Sequence, residues 1–180
     1  MSFLVFDGDE LRLSLFDSKG KLVDSWWASN RGGPHSDFRI DKAEAFVTYI
    51  PDGKYPFEAH SQSAPELHRK AGLDTLTGPY GTLGILKLKP IPFGGHVHEG
   101  LGIHAGRQAQ MDSTVVWRKP LQQVHHAGAF HRTSGCIRST EQAMHKIAAT
   151  ISKDRLEFLK VQNNGRHPLE KVSGSEVNRI

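Results

Sequence analysis

The sequence predicts a mainly β, β-rich α+β domain of sandwich-like form with one helix late in the chain, and three observations carry that expectation. Short apolar runs separated by Asp- and Gly-bearing turns fill the N-terminal part. Apolar residues recur at helical spacing only after Ser139, at Ala143, Ile147 and Ile151. A last apolar run, Leu156 to Val161, closes the chain's ordered pattern. At 180 residues the length suits one core and not two, so residues 1–162 are read as one domain and 163–180 as a polar tail.

Taken in order, Phe3 to Phe6, Leu11 to Phe16 and Leu22 to Ala28 read as a meander of antiparallel strands. Asp7-Gly8-Asp9 and Asp17-Ser18-Lys19-Gly20-Lys21 are the hairpin turns, with glycine supplying the positive φ such turns want. In the Trp26-Trp27 pair one ring faces the core and the other faces out. Ser29 to Pro34 is a loop, and 41–49 fits either a short helix or a strand. Pro51-Asp52-Gly53 is a turn, with Gly53 at the αL corner, feeding an extended segment that carries Tyr55 and Phe57 on one side. Residues 58–78 form a polar excursion with a helical turn or two near Ala64 to Lys70. Thr82 to Lys89 is a strand ended by Pro90, and Gly100 to His104 is a short Gly-rich strand. The polar stretch 107–131 reads as a long loop of lid type, bearing Trp117, His125, His126 and His131. Ser139-Thr140 caps the helix, which runs through Lys153.

Composition narrows the function. The net charge of +4 comes without a Lys/Arg run, which argues against nucleic acid as a partner. No run of about 18 apolar residues is present, so no transmembrane segment is expected. The N-terminus turns acidic at Asp7, Asp9 and Glu10 before an apolar core of a signal peptide forms. No signal peptide is expected, and a site of action in the periplasm or cell wall would call for a specialised export route. Cys136 is the one cysteine, so no internal disulfide staples the fold.

Chemistry concentrates in Thr133-Ser134-Gly135-Cys136-Ile137-Arg138. A thiol nucleophile needs a depressed pKa or a base, and Cys136 stands just ahead of the expected helix start, where unpaired amides favour an anion. His104, at the end of its Gly-rich strand, is the candidate base. The amides of Gly135 and Cys136 are candidate oxyanion donors. The bland alternatives are a buried small hydrophobe at 136, a structural His at 104 and a salt-bridging Arg at 138. A rival enzymatic reading puts His96, His98 and His104 on one strand face as zinc ligands of an amidase. Glu99 is a second candidate, as orienter of His104.

The order of a histidine strand end, a loop, then Ser/Thr-x-Gly-Cys-Ile-Arg resembles the signature of the L,D-transpeptidase catalytic-domain family. Pro51-Asp52-Gly53-Lys54-Tyr55 and Gly78-Pro79-Tyr80-Gly81-Thr82-Leu83-Gly84 resemble two further stretches of that family, so the likeness spans roughly residues 3 to 160. The resemblance implies a β-rich sandwich-like fold with a helix after the nucleophile. It implies that Cys136 attacks a stem-peptide carbonyl with His104 as base, Gly135 at the oxyanion, and Arg138, Ser134 and Thr133 on the substrate side. No cofactor or metal is implied. Peptidoglycan stem peptide is the implied partner, and divergent members with Ser-x-Gly-Cys motifs are similar to antibacterial effectors, for which an immunity protein is a second partner. Two departures stand out: Ser134 replaces the family's frequent His, and Ala105 leaves no hydroxyl beside His104, so a backbone carbonyl must orient the ring. The stretch from His104 to Cys136 is also longer than usual. A non-catalytic wall-binding or structural domain of the same fold is the alternative from another class.

Overall fold

Short alternating or continuous apolar runs build the first three strands. In the computed structural model, which describes residues 1–30, 50–62, 80–93, 96–106 and 135–164, β1 (Ser2–Asp7), β2 (Arg12–Phe16) and β3 (Leu22–Ser29) form the expected antiparallel meander. Because side chains alternate across a strand, Leu4, Phe6, Leu13, Leu15 and Trp26 are buried on one face. On the other, Phe3 stacks against both Phe16 and Phe158 at 5.1 Å, and Arg12 lies 4.6 Å over Trp27.

The turns divide the glycine expectations. Gly20 takes φ +77° between β2 and β3, while the Asp17 carboxylate accepts from the amides of Lys19 and Lys21 at 2.9 Å. Between β1 and β2 the positive φ falls on Leu11, not on Gly8. Gly8 is needed for space instead, since a Cβ there would stand 2.6 Å from Asn164 Cα. Gly53 likewise does not take the αL corner; it makes room for Tyr55, whose hydroxyl donates to Pro51 O at 2.7 Å.

The remaining elements are β4 (Gly53–Pro56), a 3-10 turn at His60–Gln62, β5 (Ile85–Lys87), β6 (Ile91–Phe93), β7 (His96–His98), β8 (Gly102–His104), β9 (Ile137–Ser139), α1 (Glu141–Ile151) and β10 (Leu156–Gln162). Eight strands make one sheet in the order β4-β10-β1-β2-β3-β9-β8-β5. Through Trp27, β3 pairs with β2, whereas Ala28 and Ser29 pair with β9. That handover curls the sheet. The two edge strands then meet: Phe57 bridges Leu88, Glu58 N–H donates to Lys87 O at 3.0 Å and Lys89 N–H to Pro56 O at 2.9 Å. Inside the curl, Leu4, Phe6, Leu86, Ile103, Ile137 and Leu159 share one core with Ala143, Met144, Ile147 and Ile151 of α1. Thr140 caps α1 by accepting from Ala143 N–H at 3.1 Å.

Four expectations are corrected. The strand expected over 82–89 is regular only at Ile85–Lys87, with Leu88 as a bridge. Past Pro90 the chain enters the β6–β7 hairpin, a separate two-stranded sheet that the short apolar pattern did not announce. The helix ends at Ile151, two residues early, with Ser152 as its C-cap. The polar tail does not begin at Asn163: the Asp52 carboxylate accepts from the amides of Asn163 and Asn164 at 3.0 and 2.9 Å, and Asn164 is fully buried. The readings at 41–49, 64–70 and 107–131, and of the tail from 165, lie outside the described residues. No described helix is long and apolar enough to cross a membrane.

Candidate functional site

Two short neighbouring strands bring the predicted pair together. β8 and β9 run parallel, with Ile103 opposite Ile137 and His104 opposite Arg138. Both isoleucines are fully buried in the core, so alternation turns His104 and Arg138 to the opposite face, and Cys136 lies one residue ahead of β9. Neighbouring strands lie about 4.8 Å apart and two residues rise about 6.6 Å, which sets the Cα atoms of His104 and Cys136 roughly 8 Å apart, within joint reach of a thiol and an imidazole. Gly102, next to Cys136 in this register, has no room for a side chain: a Cβ there would collide with the Leu86 carbonyl.

His104 is 2% exposed. Its Nδ1 lies 2.7 Å from Ala105 O. A carbonyl only accepts, so Nδ1 carries the proton and Nε2 is the basic nitrogen. This is the backbone contact that an alanine at 105 calls for. Glu99 is exposed and does not take that role. Tyr80 meets the ring edge-on, with centroids 5.3 Å apart. The loop that carries Tyr80 is tied to α1, because Thr82 donates to the Glu141 carboxylate through its amide at 3.0 Å and its hydroxyl at 2.8 Å. Tyr80 lay within a resembling stretch, but its contact with His104 needs the folded loop.

Cys136 is half-buried. Its thiol donates to Gly100 O at 3.8 Å and accepts from the Gly102 amide. Burial pushes the thiol pKa up; the Gly102 N–H and the positive charge of Arg138 pull the other way without cancelling it. The expected help from a helix N-terminus is corrected here. β9 intervenes and α1 begins only at Glu141, so Cys136 does not directly precede the helix start as expected.

Gly135 adopts φ +112°, a conformation closed to side chains with a Cβ. Asn30, which the sequence did not single out, holds the turn from behind. It is 1% exposed, and its Nδ2 donates to Gly135 O at 2.6 Å and to Cys136 O at 3.0 Å. In a trans peptide the N–H points opposite to the C=O, so this contact turns the Cys136 amide away from Asn30. An Asn just past a strand end is an ordinary sequence feature, and only the fold brings it to Cys136. Thr133 and Ser134 lie outside the described residues. Arg138 is buried, with its charge next to the thiol.

The zinc reading loses its geometry. β7, with His96 and His98, pairs with β6 in the small sheet, while His104 lies in the large one. The three histidines therefore do not share a strand. Among the described residues no three His, Cys, Asp or Glu side chains gather to hold a metal.

No protein-family model matches the chain, and no curated protein matches it in sequence. Solved structures similar to it include two L,D-transpeptidases. An L,D-transpeptidase (Yku) from Stackebrandtia nassauensis gives a TM-score of 0.42 at 12% identity, covering 91% of this chain and 56% of that one. An L,D-transpeptidase from Mycobacterium smegmatis gives 0.39 at 16% identity, covering 89% and 58%. The chain thus spans less than two thirds of either.

Proposed function

We propose that this protein is a cysteine acyl-transfer enzyme acting on peptidoglycan stem peptides, as an L,D-transpeptidase, L,D-carboxypeptidase or D-amino-acid exchanger. One observation carries the reading: Cys136 directly precedes the strand that pairs in parallel with the strand of His104, and Ala105 O fixes the ring with Nε2 as its basic nitrogen. The Thr133 to Arg138 motif, with its resemblance to the L,D-transpeptidase family, adds the substrate class.

In this mechanism His104 Nε2 takes the proton of Cys136 Sγ, and the thiolate attacks the carbonyl on the L-centre side of a diaminopimelate–D-alanine bond. The amides of Gly135 and Cys136 receive the oxyanion, each donor contributing about 3 kcal/mol to the transition state. The C–N bond breaks, the departing D-alanine amine takes the proton back from His104, and a thioester remains on Cys136. An amine, water or a free D-amino acid then accepts the acyl group, giving crosslink, trimmed stem or exchange. Arg138, Ser134 and Thr133 are assigned to substrate positioning.

Incubation with tetrapeptide muropeptides separates these outcomes by product mass: loss of D-alanine, a dimer or an exchanged residue. Cys136→Ala should abolish all three, and retained turnover would refute the nucleophile. The burial that raises the thiol pKa favours a second reading, a non-catalytic wall-binding domain with an inert thiol. Iodoacetamide decides between them. A folded protein whose Cys136 stays unmodified at neutral pH, with His104→Ala making no difference, would be the inert domain.

The effector proposal follows from the Ser134-Gly135-Cys136 motif and its resemblance to divergent family members that are antibacterial effectors. In it the protein is a toxin exported by a contact-dependent machine to act on a neighbour's wall, with an immunity protein protecting the producer. Expression with a periplasmic leader should arrest growth while cytoplasmic expression is tolerated. Equal harmlessness in both compartments would count against it.

A further inference from the structure

Asn30 is a junction of four segments. Its Nδ2 faces two carbonyl oxygens, Gly135 O at 2.6 Å and Cys136 O at 3.0 Å. Its Oδ1 faces two donors, the Ile50 amide and Asn164 Nδ2, the latter at 2.7 Å. The chemistry of these partners admits only one orientation of the amide, since a carbonyl cannot donate and an N–H cannot accept. Asn164 is fixed in turn: its Nδ2 also donates to Ile50 O at 2.7 Å, and its backbone N–H donates to Asp52 Oδ1 at 2.9 Å. Gly8 packs against its backbone so closely that no Cβ fits. Both asparagine side chains are shielded from solvent, with Asn30 1% and Asn164 0% exposed. Among the described residues Asn164 Oδ1 is left without a hydrogen-bond partner, while both side-chain atoms of Asn30 are bonded, and shielded bonds of this kind are costly to break.

We infer that Asn30 is the positioning residue for the Gly135–Cys136 turn, setting where the Cys136 amide and thiol point, and that Asn164 is the anchor that sets Asn30. The inference deepens the acyl-transfer reading and rests on it for its catalytic consequence. Two carbonyls drawn to one amide fix two successive peptide planes at the nucleophile. The Cys136 N–H is thereby aimed to the side opposite Asn30, where an oxyanion donor is required. Gly135, at φ +112°, supplies the backbone corner that lets both carbonyls face the same amide.

Asn30→Asp is the sharp test, because it keeps the shape and replaces the two-proton donor with an oxygen facing two oxygens. The expected result is a folded protein by near-UV circular dichroism whose muropeptide kcat falls at least tenfold while KM stays within about threefold. The pH profile of Cys136 alkylation by iodoacetamide should also move away from that of the wild type. The two profiles should converge at the acid end, where a protonated carboxyl again donates, and separate as that carboxyl ionises. Asn164→Ala, which leaves the Nδ2 contacts of Asn30 in place, should lower Tm with a smaller loss of kcat. A folded Asn30→Asp variant with kcat and alkylation profile within twofold of wild type would overturn the inference. If that variant does not fold, the side-chain amide protons of Asn30 are followed by NMR in the wild-type protein. They should exchange slowly and shift when Cys136 is alkylated, and exchange as fast as a free amide overturns the inference equally. A wild type inert towards muropeptides would remove the function proposed above, and the alkylation and amide readouts would still decide for or against Asn30.

Discussion

The thiol of Cys136 is held in its protonated form by its own surroundings: burial raises its pKa, and Gly100 O accepts its S–H. An enzyme built this way depends on its base, not on a resting thiolate. His104→Ala should therefore slow alkylation at neutral pH, with the rate recovering only above the ordinary thiol range; a profile identical to wild type would remove His104 from that role. Stability follows from the same shift. With the folded pKa above the unfolded one, the thiol's contribution is fully present below the unfolded value and is lost as pH rises through the folded value. Urea melts between pH 7 and 11 should show a steeper alkaline loss for wild type than for Cys136→Ala.

Among the elements, α1 and β8 make the clearest demands. Thr140 caps α1 through its side-chain oxygen, and Thr140→Ala should cost about 1 kcal/mol in a denaturant melt. Gly102→Ala drives a methyl into the Leu86 carbonyl, the backbone of the neighbouring strand, and also disturbs the amide that faces the thiol. Gly20 offers the contrast: a Cβ there meets nothing, so Gly20→Ala meets only the positive-φ penalty of about 1–2 kcal/mol. Gly102→Ala should lower Tm further than Gly20→Ala and, unlike it, alter Cys136 alkylation. Equal effects would mean that the β5–β8 contact relaxes freely.

Across the whole molecule, stability rests on a curled sheet whose first and last described strands are neighbours, β1 pairing with β10 in parallel. Ile147 of α1 is fully buried in the core that fills the curl, so Ile147→Ala should cost about 2–5 kcal/mol. Native-state hydrogen exchange should be slowest in β1, β2 and β10 and faster at the edges β4 and β5, which are held together by the Phe57–Leu88 bridge and its two flanking bonds.

What the sequence determined by itself is local. Short alternating or continuous apolar runs placed β1, β2, β3 and β10, helical spacing placed α1 with its Thr140 cap, and Gly-Cys-Ile-Arg marked the candidate nucleophile segment, because each signal lies within a few residues of chain. Turn chemistry was legible at Gly20 but not at Gly8 or Gly53, where the missing Cβ answers to crowding by Asn164 and Tyr55. Tertiary structure alone decided the rest. Strand order and the parallel β8–β9 pairing bring His104 beside Cys136; the same pairing puts β9, not a helix N-terminus, directly after the thiol. The junction of Asn30 and Asn164 behind Gly135 joins residues far apart in the chain, and hydrogen bonds between distant residues leave no period or spacing for a sequence to display.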